Sequence, residues 1–347
     1  MPSGKPHILV IRLSAMGDVA MTIPVILTLL SQHKNIEISV LTKPFFGQLF
    51  EDIPNVSIIE ADVKTKYKGV KGVYSLSQEL AKHQFTAIAD LHNVLRSKVL
   101  KFFLSFHRFK IRTIHKGRKE KKALTRLKNK RFKPLKSTVQ RYAEVFNRLG
   151  YRIDWRAPQF LPKKALGRNL IDDLKYYSAE KHLGIAPFAA HDGKTYPADL
   201  MQEAIMNLAE NQSLNIYLFG GKPLEMSRLQ NWAKPYYNVY CIAGRYDFRS
   251  ELSLISNLDL MLSMDSGNGH LAAMYGVKVI TIWGQTHPFA GFAPFLQTED
   301  EQILPDRNIF PLLPTSIYGN KRVTGYDKVM RSITPERVVK KVKSYLY

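Results

Sequence analysis

At 347 residues, with 45% hydrophobic side chains, the chain is long enough for two domains of ordinary size, each burying a core. Its 51 Lys and Arg against 29 Asp and Glu leave a formal charge of +22, which calls for an anionic partner: nucleic acid, anionic lipid or a phosphorylated substrate. The single cysteine, Cys241, excludes an intramolecular disulfide, fits a reducing compartment, and lies in the apolar run 239–243, where burial is the simpler reading.

No apolar run approaches the roughly 20 residues that span a bilayer. Residues 1–7 lead directly into a strand without a secretory cleavage site, so a cytoplasmic protein is expected. Residues 8–13 read as a buried parallel strand, followed by the turn Ser14-Ala15-Met16-Gly17-Asp18 and a helix over 19–32 that holds Pro24 in its first turns or is kinked by it. Asp18, a carboxylate on a turn at a strand's carboxyl end, can take a proton from a hydroxyl or cap the helix. Strands at 36–41, 56–59 and 86–91 alternate with helices at 45–50 and 75–83, the pattern of a doubly wound sheet. Beyond the last of these strands, His92, Asn93 and Arg96 either meet a substrate or cap the helix 96–106.

The stretch 108–141 carries fifteen Lys and Arg against the single acid Glu120. It reads as a solvated loop and helix, or as a surface for anionic lipid. Nucleic acid is disfavoured, because neither a binding signature nor interleaved aromatics accompanies the charge. Pro158 and Pro162 mark the passage to a second domain, which a helix at 166–177 bridges and whose first strand is 182–187. Strand 215–219 runs into Gly220-Gly221-Lys222-Pro223-Leu224-Glu225, a turn into a helix that is not the G-x-G-x-x-G of nicotinamide enzymes. A short strand near Ala243 precedes a helix from 248.

Residues 257–288 form a βαβ unit. A buried strand ends at 260–262, the turn Asp265-Ser266-Gly267-Asn268-Gly269-His270 follows, and a helix over 271–275 breaks at Gly276 before strand 277–282. Gly267 and Gly269 let main-chain N–H groups approach an anion at a helix N-terminus, which makes phosphate the natural guest. The alternative is a tight turn capped by Asp265 and Ser266. A second polar turn, 283–288, ends the next strand, where ligands of open α/β sheets bind. The chain then becomes irregular and proline-rich to Pro314, and Thr334 with Pro335 starts a last helix.

The pattern D-S-G-x-x-H, a helix, then G-V-x-V-I-x-I-W-G-x-T-x-P over 265–288 resembles the donor segment of glycosyltransferase family nine, the bacterial heptosyltransferases of lipopolysaccharide core synthesis. Arg12, Gly17, Asp18 and Pro24 are similar to that family's amino-terminal R-x-x-x-x-G-D-x-x-x-x-x-P. The resemblance implies a GT-B-like α/β fold of two doubly wound Rossmann-like domains facing across a cleft. Residues 1–165, including the basic segment 108–141, would bind the acceptor, and 178–330 the nucleotide sugar. The helix 334–347 would cross back to the first domain.

The implied reaction is inverting transfer of heptose from a nucleotide diphosphate donor, ADP-heptose, to an anionic lipid-linked core oligosaccharide. The protein would work at the cytoplasmic face of the inner membrane, peripheral to it and touching it through 108–141. Asp18 would be the base, and Arg12, Ser14, Gly17, His92, Asn93 and Arg96 would face the acceptor. Lys194, ahead of Tyr196-Pro197, would meet the donor diphosphate unless it is a surface lysine. Gly220 and Gly221 would admit the nucleotide, Glu225 would hold a ribose hydroxyl or serve its helix dipole, and the backbone at Ala243 would contact the base. The 265–270 turn would hold the diphosphate. Ala189 and Ala190 stand where the family commonly has hydroxyl residues, which removes two phosphate hydrogen bonds.

Neither cofactor nor metal is expected, since the chain has no D-x-D triplet and no ligand-spaced His or Cys cluster. Nucleic acid is not an expected partner. Two alternatives stand beside this reading: the same fold acting on another sugar or as an epimerase, and a non-enzymatic basic module that binds nucleic acid or membrane.

Overall fold

A computed structural model describes residues 5–107, 109–155, 157–321 and 323–347. Arg108, the first cation of the basic stretch, and residues 1–4 of the leading segment lie outside the described residues. The chain forms two compact units, Met1–Lys116 with Lys136–Leu161, and Gly117–Leu135 with Pro162–Tyr347.

The first unit is built on five parallel strands, β1 (His7–Ile11), β2 (Glu37–Thr42), β3 (Val56–Glu60), β4 (Ala87–Asp90) and β5 (Lys110–Thr113), in the order β3-β2-β1-β4-β5. Central β1 is paired on both edges and covered on both faces, so Ile8–Ile11 are all fully buried and read as one apolar run rather than an alternation. The chain winds from β1 to one side and returns to the other. The carboxyl ends of β1 and β4 therefore lie side by side, with Ile11 opposite Asp90, at the switch point where open α/β sheets bind ligands. The helix after β1 comes in two pieces, Met16–Ala20 and Thr22–Gln32. Pro24 has no N–H to return to the Ala20 carbonyl, so it starts a new helix instead of continuing the old one.

The second unit holds six parallel strands, β6 (Lys181–Ala186), β7 (Leu214–Leu218), β8 (Val239–Cys241), β9 (Leu260–Met264), β10 (Lys278–Ile282) and β11 (Gln302–Ile303), in the order β11-β10-β9-β6-β7-β8. Here β6 and β9 adjoin at the switch point, with Ala186 opposite Ser263. Two doubly wound parallel sheets of this kind make the fold α/β and GT-B-like.

Two segments lie elsewhere than the sequence suggests. The final helix, Pro335–Leu346, does not pass to the first unit: Val338, Val342 and Leu346 recur every fourth residue and bury against the helix Ala198–Ala209 in the second unit's own core. Tyr196 Oη fixes its entry by donating to the Ile333 carbonyl at 2.7 Å. The basic stretch is also not one body. Lys110–Thr113 is an edge strand of the first sheet, while 117–135 joins the second unit through Leu135 N–H to the Phe289 carbonyl. There Lys130 Nζ donates to the carbonyls of Leu124 (2.9 Å) and Pro314 (2.7 Å), and burial, with Arg307 nearby, brings its pKa down to about 8.

Candidate active site

In the first unit the switch point is organised by one guanidinium. Arg12, directly after β1, is 4% exposed, and its Nη1 donates to the Leu91 carbonyl at 2.7 Å. Its Nη2 pairs with Asp18 Oδ2. The Tyr142 ring lies 5.9 Å away, and Tyr142 Oη donates to the Asp18 carbonyl at 3.2 Å. The Asp18 side chain is 29% exposed against 5% for Arg12, so the carboxylate is the solvent-facing end of a buried pair. Its capping contact is weak by comparison, with Ala15 N–H at 3.5 Å from Oδ2. Arg12, expected to face an acceptor, is thus occupied in holding Asp18 and the turn after β4.

That turn hangs on Asp90, fully buried, which accepts from the N–H groups of His92 and Asn93 and pairs with Lys101 Nζ at 2.7 Å. His92 is 7% exposed, its Nε2 lies 3.5 Å from Ser14 Oγ, and its Nδ1 is buried with no hydrogen-bond partner among the described residues. Burial, then the cations Arg12 and Lys116, push its pKa to about 4, so the imidazole is neutral at neutral pH. Asn93 takes the left-handed conformation (φ 45°) and donates to the Ile114 carbonyl, a turn-forming role. Gly17 is half-buried in the short helix's first turn, and Arg96 is exposed on the helix Leu95–Ser105.

In the second unit a second cation–carboxylate pair occupies the switch point. Lys194, in the short turn after β6, lies with Nζ 3.3 Å from Asp265 Oδ2 at the end of β9; both side chains are mostly buried, 14% and 9% exposed. Gln285 N–H donates to the Gly193 carbonyl at 2.7 Å. A Cβ on Gly193 would stand 2.5 Å from the Gly319 carbonyl, so three loops meet here at backbone contact. They border a cavity of about 450 Å³ lined by Asp192, Gly193, Gln285, Asn320 and Lys321, among others.

The helix starts earlier than expected, at Gly267, which puts Asn268, Gly269 and His270 in its first turns. A Cβ on Gly269 would lie 3.0 Å from Ser263 Oγ and 3.2 Å from Val279 Cγ1, so this glycine serves packing of the helix on β9 and β10. Ser266 Oγ lies 3.2 Å from Ser263 Oγ. A Cβ on Gly220 would stand 2.9 Å from Leu229 Cδ1, so a larger residue would have to displace that side chain, whereas Gly221 faces open space. Glu225 Oε2 accepts from the N–H groups of Gly221 (3.1 Å) and Lys222 (3.2 Å); burial pushes its pKa up, but these donors and the Lys222 ammonium outweigh it and hold it below the usual range. The carboxylate is therefore a helix cap in this state. Ala243 lines a cavity of about 600 Å³ with Gln230, Tyr240 and Gly244.

Residues 73–308 match the family model of glycosyltransferase family 9 (heptosyltransferase). The chain belongs to this family. It is therefore a glycosyltransferase, and the segment matched contains Lys194, Asp265 and the loops around them. A lipopolysaccharide core heptosyltransferase, OpsX of Haemophilus influenzae, is 27% identical over 292 residues, covering 80% of this chain and 79% of that protein. Among solved structures, a family 9 glycosyltransferase from Veillonella parvula superposes with a TM-score of 0.74 at 18% identity over 100% of this chain and 98% of its own. The Escherichia coli heptosyltransferase WaaC with ADP gives 0.68 at 16% identity over 98% and 99%.

Several residues at these two switch points carry no signal of their own in the sequence. Asp90 and Tyr142 act through burial, which a single acid or tyrosine does not announce. Ser316-Ile317-Tyr318-Gly319-Asn320-Lys321 has the small, polar and cationic composition of the other site turns, a signal hidden in the irregular stretch after Pro288. Among the described residues no group of His, Cys, Asp or Glu is arranged to hold a metal, and no helix is long and apolar enough to cross a membrane.

Proposed function

We propose that the protein transfers heptose from ADP-heptose to a hydroxyl of a lipopolysaccharide core acceptor, with inversion at the anomeric carbon, at the cytoplasmic face of the inner membrane. The observation that carries this reading is Asp18, a part-exposed carboxylate at a switch point whose free orientations are removed by the buried Arg12. The names of the relatives support the substrates: OpsX is a core heptosyltransferase and WaaC was solved with ADP.

In this mechanism the acceptor oxygen attacks the anomeric carbon as its proton passes to Asp18, and the bond from that carbon to the diphosphate oxygen breaks on the opposite face. The electron pair leaves with the nucleoside diphosphate. Lys194 offers it a fixed cation, and the Ser266–Gly269 main chain adds N–H donors already in place, a pre-organised electrostatic role. Neutral His92 beside Ser14 provides a polar, uncharged wall for a hydroxyl-bearing acceptor. Glu225 would have to exchange a cap hydrogen bond for a ribose hydroxyl.

The test is nucleotide release from ADP-heptose with a truncated lipopolysaccharide acceptor, in EDTA, by wild type and Asp18→Asn. Turnover by the wild type, with a loss of about 10² or more in the variant at unchanged donor binding, supports the base. Equal turnover by both would reduce Asp18 to a helix cap. Release from other sugar nucleotides but not from ADP-heptose would move the assignment to another sugar, the outcome that Ala189 and Ala190 make worth testing.

A further inference from the structure

The helix Leu95–Ser105 turns Leu95, Lys98 and Phe102 outward on one stripe, and Phe106 extends it one turn further. Leu95, Phe102 and Phe106 are 78%, 61% and 70% exposed. Alongside, the helix Gly69–Ala81 turns out Val70 and Tyr74, one turn apart and at least half exposed. The rings join the two helices: Tyr74 packs edge-on to Phe103 with centroids 5.1 Å apart, and Phe102 to Phe106 at 5.4 Å. Between the helix starts runs an apolar groove of about 400 Å³ walled by Val70, Val73, Leu95 and Val99. The inner faces, with Leu76, Leu80, Leu100 and Leu104, fill the first unit's core, so the outer stripe lies outside that core. Contiguous exposed apolar surface of this kind marks an interaction face.

Charge identifies the partner. Lys68, Lys71, Arg96 and Lys98 surround the apolar strip, all exposed. No Asp or Glu occurs in the sequence between Asp90 and Glu120. The one acid of the two helices, Glu79, is taken by Lys66 at 3.3 Å and Tyr67 at 2.6 Å. An apolar centre ringed by free ammonium and guanidinium groups complements a bilayer surface, with rings at the acyl boundary and cations at the phosphates. The basic stretch 108–141 is less suited, because it is divided between the two units and several of its cations have internal partners: Lys110 with the Leu149 carbonyl, Lys130 with two carbonyls and Lys136 with Glu144.

We propose that the outer face of the helices Gly69–Ala81 and Leu95–Ser105 docks on anionic lipid headgroups, holding the first unit on the bilayer that carries a lipid-linked acceptor. The acceptor rests on the function proposed above, but the docking does not, and the vesicle binding that decides it needs no substrate. The full-length protein is co-sedimented with vesicles of 30% phosphatidylglycerol in phosphatidylcholine and with phosphatidylcholine alone, for wild type, Phe102→Ser with Phe106→Ser, and Lys71→Glu with Lys98→Glu.

The expected result is binding to the anionic vesicles, weakened at least tenfold by either double variant and by 0.5 M salt, with thermal melting and turnover on a detergent-dispersed acceptor unchanged. Equal binding by all three proteins overturns the proposal, as does wild-type binding to neutral vesicles as strong as to anionic ones. Self-association of the wild type that the Phe102→Ser, Phe106→Ser variant abolishes, without vesicle binding, would assign the face to a second copy of the chain and would also overturn it.

Discussion

Arg12→Lys separates a residue that touches the acceptor from one that positions the base. Arginine uses two nitrogens at once, Nη1 on the Leu91 carbonyl and Nη2 on Asp18, and a lysine ammonium is a single point that cannot reproduce this fork. One charge-assisted hydrogen bond is lost inside a nearly closed site, about 1.5–3 kcal/mol. Asp18 is then left with the 3.5 Å contact to Ala15 N–H and solvent. A carboxylate free to swing away from its attack geometry costs on the order of 10² in rate. The assay is steady-state kinetics on donor and acceptor alongside urea unfolding. The expected outcome is kcat lowered about a hundredfold, both KM values within about threefold, and stability lower by about 2 kcal/mol. If kcat stays within about twofold while the acceptor KM rises, Arg12 is an acceptor ligand and the orientation argument fails.

Gly193→Ala should force the loop after β6 off the Gly319 carbonyl, 2.5 Å from the new Cβ; a loss of about 1–3 kcal/mol in stability and weaker donor binding are expected, read by melting and by calorimetric titration with ADP. His92 and His287, both nearly buried, are depressed to about 4 chiefly by burial, so between pH 6.5 and 4 the unfolded chain takes up protons that the folded one refuses. Stability is full above pH 6.5 and falls by up to about 3 kcal/mol per histidine as pH drops to 4, and urea midpoints at pH 7 and 4.5 in wild type and His287→Gln check this, the variant losing the smaller amount. Glu251 has the opposite sign. Burial, then Asp247, raises it to about 7, so its contribution is present below about pH 4.5 and is lost as pH rises through 7; Glu251→Gln should gain about 1–3 kcal/mol over wild type at pH 8 and little at pH 4.5.

The centres of both sheets are legible because strands covered on two faces are written as unbroken apolar runs, as in Ile8–Ile11 and Leu260–Leu262. The edges are not. Lys110–Thr113 (K-I-R-T) and the two-residue β11 pair on one side only, so polar side chains are tolerated and the pattern fades, while the charges of the former discourage further pairing. The helix Gly69–Ala81 looks, from sequence, as though it starts at Ser75, because Gly69 and Gly72 resemble a break. A Cβ at Gly72 would sit 2.3 Å from the Tyr67 carbonyl carbon, so that glycine lets the turn before the helix pack closely on its first turn. In the candidate site, the turns that hold Arg12, Gly17, Asp18 and Lys194 are readable as strand-to-helix connections, whereas Lys194 meeting Asp265 depends on β6 and β9 being neighbours, which only the winding order supplies.

The two ion pairs repay comparison, since stability alone gives little reason for either. Enclosing a charge pair costs desolvation that the attraction roughly offsets, and apolar substitutes are often as stable. What each pair does fix is the position of its charged atoms at the switch point. In the first unit Arg12 is sealed and Asp18 projects, 5% against 29% exposed, so the switch point presents a carboxylate. In the second unit Lys194 and Asp265 are enclosed almost equally, 14% and 9% exposed, so the corresponding position holds a cation whose charge is matched by a carboxylate until a donor's diphosphate competes for it. The two doubly wound units thus carry a carboxylate and an ammonium at equivalent places, and the reaction proposed above would use them as a base for the entering hydroxyl and a cation for the departing anion. Reversing either pair, for example Lys194→Glu with Asp265→Lys, should keep the local ion pair while abolishing donor binding, measured by ADP titration. A reversed pair that still binds donor would show that the charge at this switch point is structural and carries no part of the chemistry.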